Sequence, residues 1–289
     1  MPELPEVETV KRGLEPALVG RRIVKVELRR KDLRFPFPPR FRERLEGATV
    51  TALTRRAKYI LGNLDTQETL IMHLGMTGRF SVVRGDGHTA DLGEFYFATG
   101  GEGPHDHVVF HLDDGSRVVY ADPRRFGLMD IGGEDHKLLR DIGVEPLGNG
   151  LNAAYIAEHF RAKKAPLKAA LLDQKIIAGL GNIYVVEALH RARLSPRRKA
   201  GTLVKKLGYD LRLDDLLRHI REILNEAIMA GGSTLQDYQA VDGQKGEFQQ
   251  RFLVYDREGE ACLHEGCTSV IKRIVQSGRS TFYCPRCQK

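Results

Sequence analysis

Val108-Val-Phe-His-Leu-Asp-Asp-Gly-Ser-Arg-Val-Val-Tyr120 decides the fold of the first half of the chain. Val108, Phe110 and Leu112 alternate with their neighbours at the period of a strand, and Val118 and Tyr120 resume the alternation. Between them Asp113, Asp114 and Gly115 form a turn composition that favours a hairpin. Upstream, Val24, Val26 and Leu28 face one way while Lys25 and Glu27 face the other, as in a half-buried strand. Residues 20–130 therefore read as a β-sandwich or barrel. Ahead of it Leu4, Val7, Val10, Leu14 and Leu18 recur at spacings of three and four, with Pro5 suited to a first turn and Gly20 beyond the end, which predicts an opening helix.

Downstream, Gly132, Gly133, Pro146, Gly148 and Gly150 thin out the apolar pattern and mark a linker. From Asn152, a good N-cap, the spacing turns helical through Tyr155, Ile156 and Phe160, then Leu167, Leu171 and Leu172, and later Leu216, Leu217, Ile220, Leu224 and Ile228. Gly231 and Gly232 stop the last of these helices. Residues 233–250 hold Gly, Ser, Asp and Gln with little periodicity, the composition of a long loop, which in a compact domain is more often functional than idle. The expected class is α+β: a β-sandwich domain with its opening helix over 1–132, a linker over 133–150, a helical domain over 151–250 and a cysteine-bearing end over 251–289.

Forty-five Lys and Arg against 38 Asp and Glu give a net charge of +7 and a pI near 9.2, which suits a polyanionic partner such as nucleic acid. Charge alone does not choose among acidic partners. The 42% of hydrophobic residues can build a proper core over 289 residues. No run approaches the ~20 apolar residues of a membrane span, and the start lacks a basic segment followed by an apolar one. A cytoplasmic protein with no membrane partner is expected.

The cysteines run Cys262-x4-Cys267-x16-Cys284-x2-Cys287, with strand-like Ile271, Ile274, Thr281, Phe282 and Tyr283 between the pairs. Two close pairs separated by a hairpin-length spacer can set four thiolates tetrahedrally around zinc, the alternative being four unliganded, partly buried thiols. A segment this short has little core, so a metal would supply much of its folding energy. At the other end, a small residue in position 2 usually permits removal of the initiator Met, leaving Pro2 with a free secondary amine. An α-amine titrates near 8, so roughly 10% is neutral at pH 7 against ~0.04% for an ordinary Lys. Attack by a secondary amine on a sugar C1′ gives an iminium that is cationic without a proton, and this acidifies the C2′ hydrogens. Glu3 and Glu6 sit where they could shuttle protons, and equally where they would merely complement the dipole of the opening helix.

Met1-Pro-Glu-Leu-Pro-Glu-Val-Glu-Thr9, Arg56-Ala-Lys-Tyr59, His73-Leu-Gly-Met-Thr-Gly78, His105-Asp-His-Val108, Asp122-Pro-Arg-Arg-Phe-Gly127, Gly181-Asn-Ile-Tyr184 and the terminal cysteines together resemble the formamidopyrimidine-DNA glycosylases. The resemblance runs in order over nearly the whole chain. It implies an N-terminal catalytic β-sandwich, a helix-two-turns-helix DNA-binding domain and a zinc-finger hairpin, with damaged double-stranded DNA held between the domains by a monomer. It also implies removal of oxidised purines followed by β,δ-elimination, with one structural zinc and no organic cofactor. By motif match Pro2 is the Schiff-base nucleophile, Glu3 the acid/base, Lys58 a proton donor for β-elimination and Arg279 the donor for δ-elimination. His105, Arg124, Lys164, Lys168, Asn182 and Arg279 match positions that hold phosphates or the damaged nucleotide. Met76, Arg124 and Phe126 match residues that fill the gap left by an extruded base, and 233–250 matches a lesion-capping loop.

These roles suit the physics of the task, since a base inside a duplex must be flipped out and something must refill the stack. Read without the family, Met76 and Phe126 would be core residues, Lys58 a surface charge closing a strand, and Arg124 and Arg125 a solvated turn. His73, His105 and His107 lack the neighbouring carboxylate motif of a metalloenzyme; His105 reads as a DNA contact and His107 as a satisfied structural histidine. Lys164 and Lys168 are spaced one helical turn apart, able to meet adjacent phosphates. Two competing readings are an endonuclease VIII type acting on oxidised pyrimidines, disfavoured by Leu4 and Val7 in the opening motif, and a non-catalytic DNA-binding protein, which would have no use for Pro2, Glu3 and Lys58 together. The first cysteine spacing is four where the resembled family usually has two. Leu263 to Gly266 are expected to bulge while four sulfurs keep the metal, with His264 the alternative ligand.

Overall fold

The opening periodicity forms α1 (Leu4–Leu18), in which Leu4, Val7, Val10, Leu14 and Leu18 are all buried. Glu3 is its N-cap. The Glu3 backbone N–H donates to Oε2 of Glu6 at 2.8 Å, and Pro5 occupies the first turn, where a missing N–H costs nothing. Burying each of the larger apolar side chains contributes about 1.5–3 kcal/mol before the entropy of ordering is subtracted.

The computed structural model describes residues 2–85, 89–92, 103–133, 135–233 and 248–289; most of the 233–250 loop lies outside the described residues. The chain divides into two compact units, Met1–Arg140 with Ile228–Gln249, and Asp141–Ala227 with Gln250–Lys289. In the first, α1 is followed by β1 (Ile23–Leu28), a short α2 (Phe41–Leu45), β2 (Val50–Arg56), β3 (Tyr59–Leu64), β4 (Thr69–His73), β5 (Arg79–Val83), β6 (Thr89–Leu92), β7 (Asp106–Leu112), β8 (Arg117–Ala121) and β9 (Leu128–Gly132). They form antiparallel sheets in the orders β1-β7-β8-β5-β6 and β2-β3-β4-β9. Val26, Phe80, Phe110 and Val118 of the first sheet and Leu53, Ile60, Met72 and Ile131 of the second meet with Val7, Val10 and Leu14 of α1 in one apolar core. This is the expected sandwich.

The hairpin of Val108 to Tyr120 is β7–β8, with Val108 opposite Tyr120, Phe110 opposite Val118, and Gly115 in the turn at φ +80°. On the other face of β7, Val109 is as buried as Phe110. The expectation for Val24 fails. The register shifts between Ile23 and Lys25, which leaves Val24 48% exposed on a bulge and gives its inward place to Ile23.

The second unit holds α3 (Ala153–Phe160), α4 (Leu167–Leu171), α5 (Asn182–Arg191) and most of α6 (Arg212–Met229), then the hairpin β10 (Lys272–Gln276) and β11 (Arg279–Tyr283). Asn152 caps α3 as expected, its Oδ1 accepting from the N–H of Tyr155 at 2.9 Å. Gly231 and Gly232 follow α6 with φ of +74° and +85°, conformations that other residues adopt only with strain. The turns between α4 and α5 are held by Gln174. Its Nε2 donates to the carbonyls of Leu172 and Leu180, and its Oε1 accepts from the N–H of Gly179.

The terminal hairpin packs against α5 through Val186, Val254, Ile271 and Phe282. Glu187 of the same helix is buried and accepts from the N–H groups of Leu253, Val254 and Tyr255. Burial pushes its carboxyl above the usual range against those hydrogen bonds. Lys164 and Lys168 do not share a helical turn. Pro166 disfavours helix at the residue before it, so α4 starts only at Leu167 and exposed Lys164 precedes it. No helix among the described residues is long and apolar enough to cross a membrane.

Candidate active site and metal centre

Pro2 lies half-buried just ahead of α1, and Glu3 beside it is only 4% exposed. Glu6 is buried as well; its Oε2 accepts from Glu3 N, and its Oε1 accepts from both the N–H and the hydroxyl of Ser233 at 2.9 Å. Glu3 and Glu6 thus cap the helix reciprocally, the Glu3 side chain accepting from the Glu6 backbone N–H, and Glu3 is the one that directly follows Pro2.

Lys58 is buried in the two-residue turn that joins β2 to β3, next to Ala57 at φ +54°. Arg55 fixes that turn to α1: one guanidinium nitrogen donates to the Ala57 carbonyl and Nε donates to Glu8, each within 3.0 Å. Burial opposes ionisation of Glu8, but its bond to Arg12 and the charges of Arg55 and Lys11 hold it below the usual carboxylate range. The turn bearing Lys58 and the helix following Pro2 are therefore tied by one arginine.

His73, on β4, has its ring centroid 4.9 Å from that of Tyr59 and accepts at Nδ1 from the N–H of Gly75. Burial, then the charges of Lys58 and Arg34, push its imidazole down to about 4 despite the pull of Asp122. The unfolded chain takes up this proton near pH 6.5 and the folded chain only near 4, so stability is fully present above about 6.5 and is lost as the pH falls towards 4. The loss is on the order of 3 kcal/mol from this group. Urea midpoints at pH 7 and pH 4.5 should differ more in wild type than in His73→Gln; equal pH dependence would exclude His73 as the cause.

Asp122 is the buried centre of the same region. Its Oδ1 accepts from the Thr77 hydroxyl at 2.5 Å, its Oδ2 from Gly127 N at 2.8 Å and from the Tyr120 hydroxyl at 3.3 Å, and its carbonyl from Nε2 of His107 at 2.9 Å. His107 is thus a satisfied structural histidine. Thr77 Oγ1 in turn accepts from Arg124 N. Two glycines permit the close approach. A Cβ on Gly75, at φ +65°, would lie 2.3 Å from the Phe126 carbonyl carbon, and one on Gly127 would lie 1.8 Å from the Tyr120 hydroxyl. The segments carrying Met76 and Arg124–Phe126 are knotted together by this network, which the sequence reading did not single out.

Above the knot is an open cavity of about 520 Å3 lined by Asp32, Arg34, His73, Met76, Arg124 and Phe126, among others. Phe126 is 43% exposed, and the Arg124 guanidinium sits 4.8 Å from its ring centroid. A bulky aromatic held rigidly at a surface, capped by a cation, is not a core residue. His105 is half-buried at the entry to β7, its carbonyl accepting from Asp122 N.

In the second unit Ser277 and Gly278, at φ +50° and +72°, make the tight turn of β10–β11, and Gln276 pairs with Arg279 immediately beyond it. Arg279 is exposed there. The adjacent Ser280 carbonyl accepts from Nζ of Lys168 at 3.0 Å and from Nδ2 of Asn182 at 3.1 Å, and Lys168 also donates to the Thr281 hydroxyl. Lys168 is only 1% exposed. Its charge secures the root of the hairpin, so it is not disposed beside Lys164 to meet an adjacent phosphate. The partner lies 112 residues away, beyond the reach of any local pattern.

The four cysteine sulfurs cluster, with Cys262 and Cys287 3.9 Å apart and Cys267 and Cys284 3.7 Å apart. A zinc tetrahedron with bonds of about 2.3 Å has edges of about 3.8 Å, so the donor set fits. The enlarged loop bulges as expected: Leu263 is exposed, Gly266 takes φ +71°, and Cys267 N donates to the His264 carbonyl at 3.0 Å. His264 stands outside the four-sulfur cluster.

Comparison with known proteins matches residues 1–129 to the formamidopyrimidine-DNA glycosylase N-terminal domain, 142–239 to its H2TH domain and 259–289 to the zinc finger found in FPG and IleRS. The chain belongs to the formamidopyrimidine-DNA glycosylase family. A formamidopyrimidine-DNA glycosylase of Rhizobium etli is 58% identical over the full length of both chains, and one of Methylobacterium is 57% identical over all of this chain and 99% of its own. Among solved structures, MutM (Fpg) of Thermus thermophilus superposes with a TM-score of 0.82 at 37% identity, covering 99% of this chain and 98% of its own. Lactococcus lactis Fpg with an abasic-site-containing DNA gives 0.82 at 32% identity over both full chains. As in the family, the terminal cysteines of this glycosylase form a zinc finger holding one structural zinc.

Proposed function

We propose that the protein is a base-excision repair enzyme that releases oxidised purines from duplex DNA and then cleaves the abasic strand, with Pro2 as nucleophile. The observation that carries the assignment is the placing of Pro2, whose nitrogen becomes a terminal amine once Met1 is removed, directly before buried Glu3 at the head of α1, an arrangement for which DNA binding alone has no use. A related Fpg structure contains DNA bearing Fapy-dG, which supports the substrate class.

The neutral Pro2 nitrogen attacks C1′ as the bond from C1′ to the base breaks, with Glu3 moving the protons that ring opening and base departure require. The resulting iminium acidifies C2′. Loss of a C2′ proton expels the 3′ phosphate, and a second elimination expels the 5′ phosphate, with Lys58 and Arg279 as the respective proton donors. Met76 and Phe126 fill the vacated stack, Arg124 bonds the widowed base, and His105, Lys164 and Asn182 hold the backbone. The thiolate zinc site and the nucleoid substrate are both suited to the reducing cytoplasm.

Borohydride reduction with a duplex carrying 8-oxoguanine should trap a covalent adduct whose mass maps to Pro2. No adduct under conditions of saturating binding would favour a non-catalytic DNA-binding protein. Arg124→Ala is expected to relax preference for the base opposite the lesion by on the order of tenfold, the discrimination of one good side-chain-to-base contact. Excision rates measured against all four opposite bases check this, and an unchanged ranking would remove Arg124 from that role.

A further inference from the structure

The metal centre has two imidazoles beside it that a four-thiolate site does not need. His190, fully buried on α5, stacks on His264 of the enlarged loop with ring centroids 4.1 Å apart and planes 9° from parallel. Nε2 of His190 is 3.5 Å from Sγ of Cys262, and Nδ1 of each histidine is buried without a hydrogen-bond partner. One ligand atom from each of His190, Cys262 and His264 falls within 4.8 Å of the others.

Such a group could hold a second ion bridged by Cys262, or it could serve the first ion from outside its ligand shell. The stack decides between them. Near-parallel rings set their nitrogens side by side, whereas two imidazoles sharing one zinc must converge on a point about 2.0 Å from each. We propose that His190 donates an Nε2–H···S hydrogen bond to the Cys262 thiolate of the zinc site, that His264 holds the ring in place, and that this pair sets how firmly the enlarged knuckle retains its metal.

The tautomer follows from the surroundings. With the proton on Nδ1, a buried N–H would lack an acceptor and the Nε2 lone pair would face an anionic sulfur. With the proton on Nε2, the donor faces the anion and only an acceptor is left unserved. Four thiolates around Zn2+ carry more negative charge than the ion supplies, and N–H donors to sulfur relieve the excess. Cys284 is served in this way by the backbone N–H of Cys287 at 3.4 Å. Cys262 has the backbone N–H of His264 in the same way, and its further donor, His190, comes from another element, so the geometry of α5 and the grip on zinc are joined.

The test uses full-length, zinc-loaded protein. His190→Phe keeps a ring in the stack and removes the donor; His190→Gln keeps a donor. Competition with a chromogenic chelator should show His190→Phe retaining one zinc per chain with affinity lowered by about 10- to 100-fold, and His190→Gln closer to wild type. In Co(II)-loaded samples the thiolate charge-transfer band should shift in His190→Phe and much less in His190→Gln. Wild-type affinity and spectrum in His190→Phe would overturn the proposal, as would two ions per wild-type chain falling to one in that variant. If His190→Phe does not fold, long-range 15N–1H spectra of the wild-type imidazoles give the answer: a proton on Nε2 of His190 supports the bond, and a proton on Nδ1 refutes it.

Discussion

An enzyme that retains Met1, or carries any N-terminal extension, should release 8-oxoguanine at a rate on the order of 10³-fold or more below that of the processed protein, the scale of loss when a covalent nucleophile is removed. An amide nitrogen has no available lone pair. Pro2→Gly, which leaves a primary amine, should be impaired less severely, because its imine must hold a proton to be as electrophilic as the proline iminium. Affinity for a duplex containing a non-cleavable abasic analogue should survive in both, since phosphate contacts made elsewhere supply most of it. Single-turnover excision beside equilibrium binding separates the effects. Wild-type excision by the extended protein would remove Pro2 from the chemistry.

Cys267→Ser should lose the zinc and with it the terminal hairpin. The hairpin's own apolar contacts are few, principally Val254, Ile271 and Phe282 against Val186 of α5. Structural zinc in domains of this size supplies roughly 10–16 kcal/mol of apparent binding free energy, more than such contacts can replace. Hydrogen exchange should show protection lost over β10 and β11 and unchanged over β7 and β8, and DNA affinity should fall because the turn that presents Arg279 is no longer held. His264→Ala should keep one zinc. Retention of metal and hairpin protection by Cys267→Ser, with loss in His264→Ala, would reverse the ligand assignment.

What could be read from the sequence was what local periodicity controls. The β7–β8 hairpin, the Asn152 cap, the glycine stop after α6 and the bulge between Cys262 and Cys267 each follow from a few adjacent residues. The inward place of Val24 was misjudged because a bulge shifts register by one residue, and nothing in an alternating pattern announces it. The pairing of Lys168 with Lys164 on one helical turn was misjudged, because Pro166 delays the helix and Lys168 is drawn to a hairpin more than a hundred positions away. Asp122 escaped for a related reason. Its value lies in accepting bonds from Thr77, Tyr120 and Gly127 at once, a convergence visible only after the sheets have formed. No local pattern singles out His190, which only folding brings to Cys262.

The anchoring of Ser233 to Glu6 has a consequence for engineering. Gly232 also accepts from the N–H of Phe248, so residues 232–233 and 248 are clasped to each other and to α1. A stretch whose two ends are already clasped can change length at little thermodynamic penalty: doubling it raises the closure term by only about 0.6 kcal/mol. Insertions made between those two clasped ends should therefore leave the sandwich and the placement of Pro2 intact.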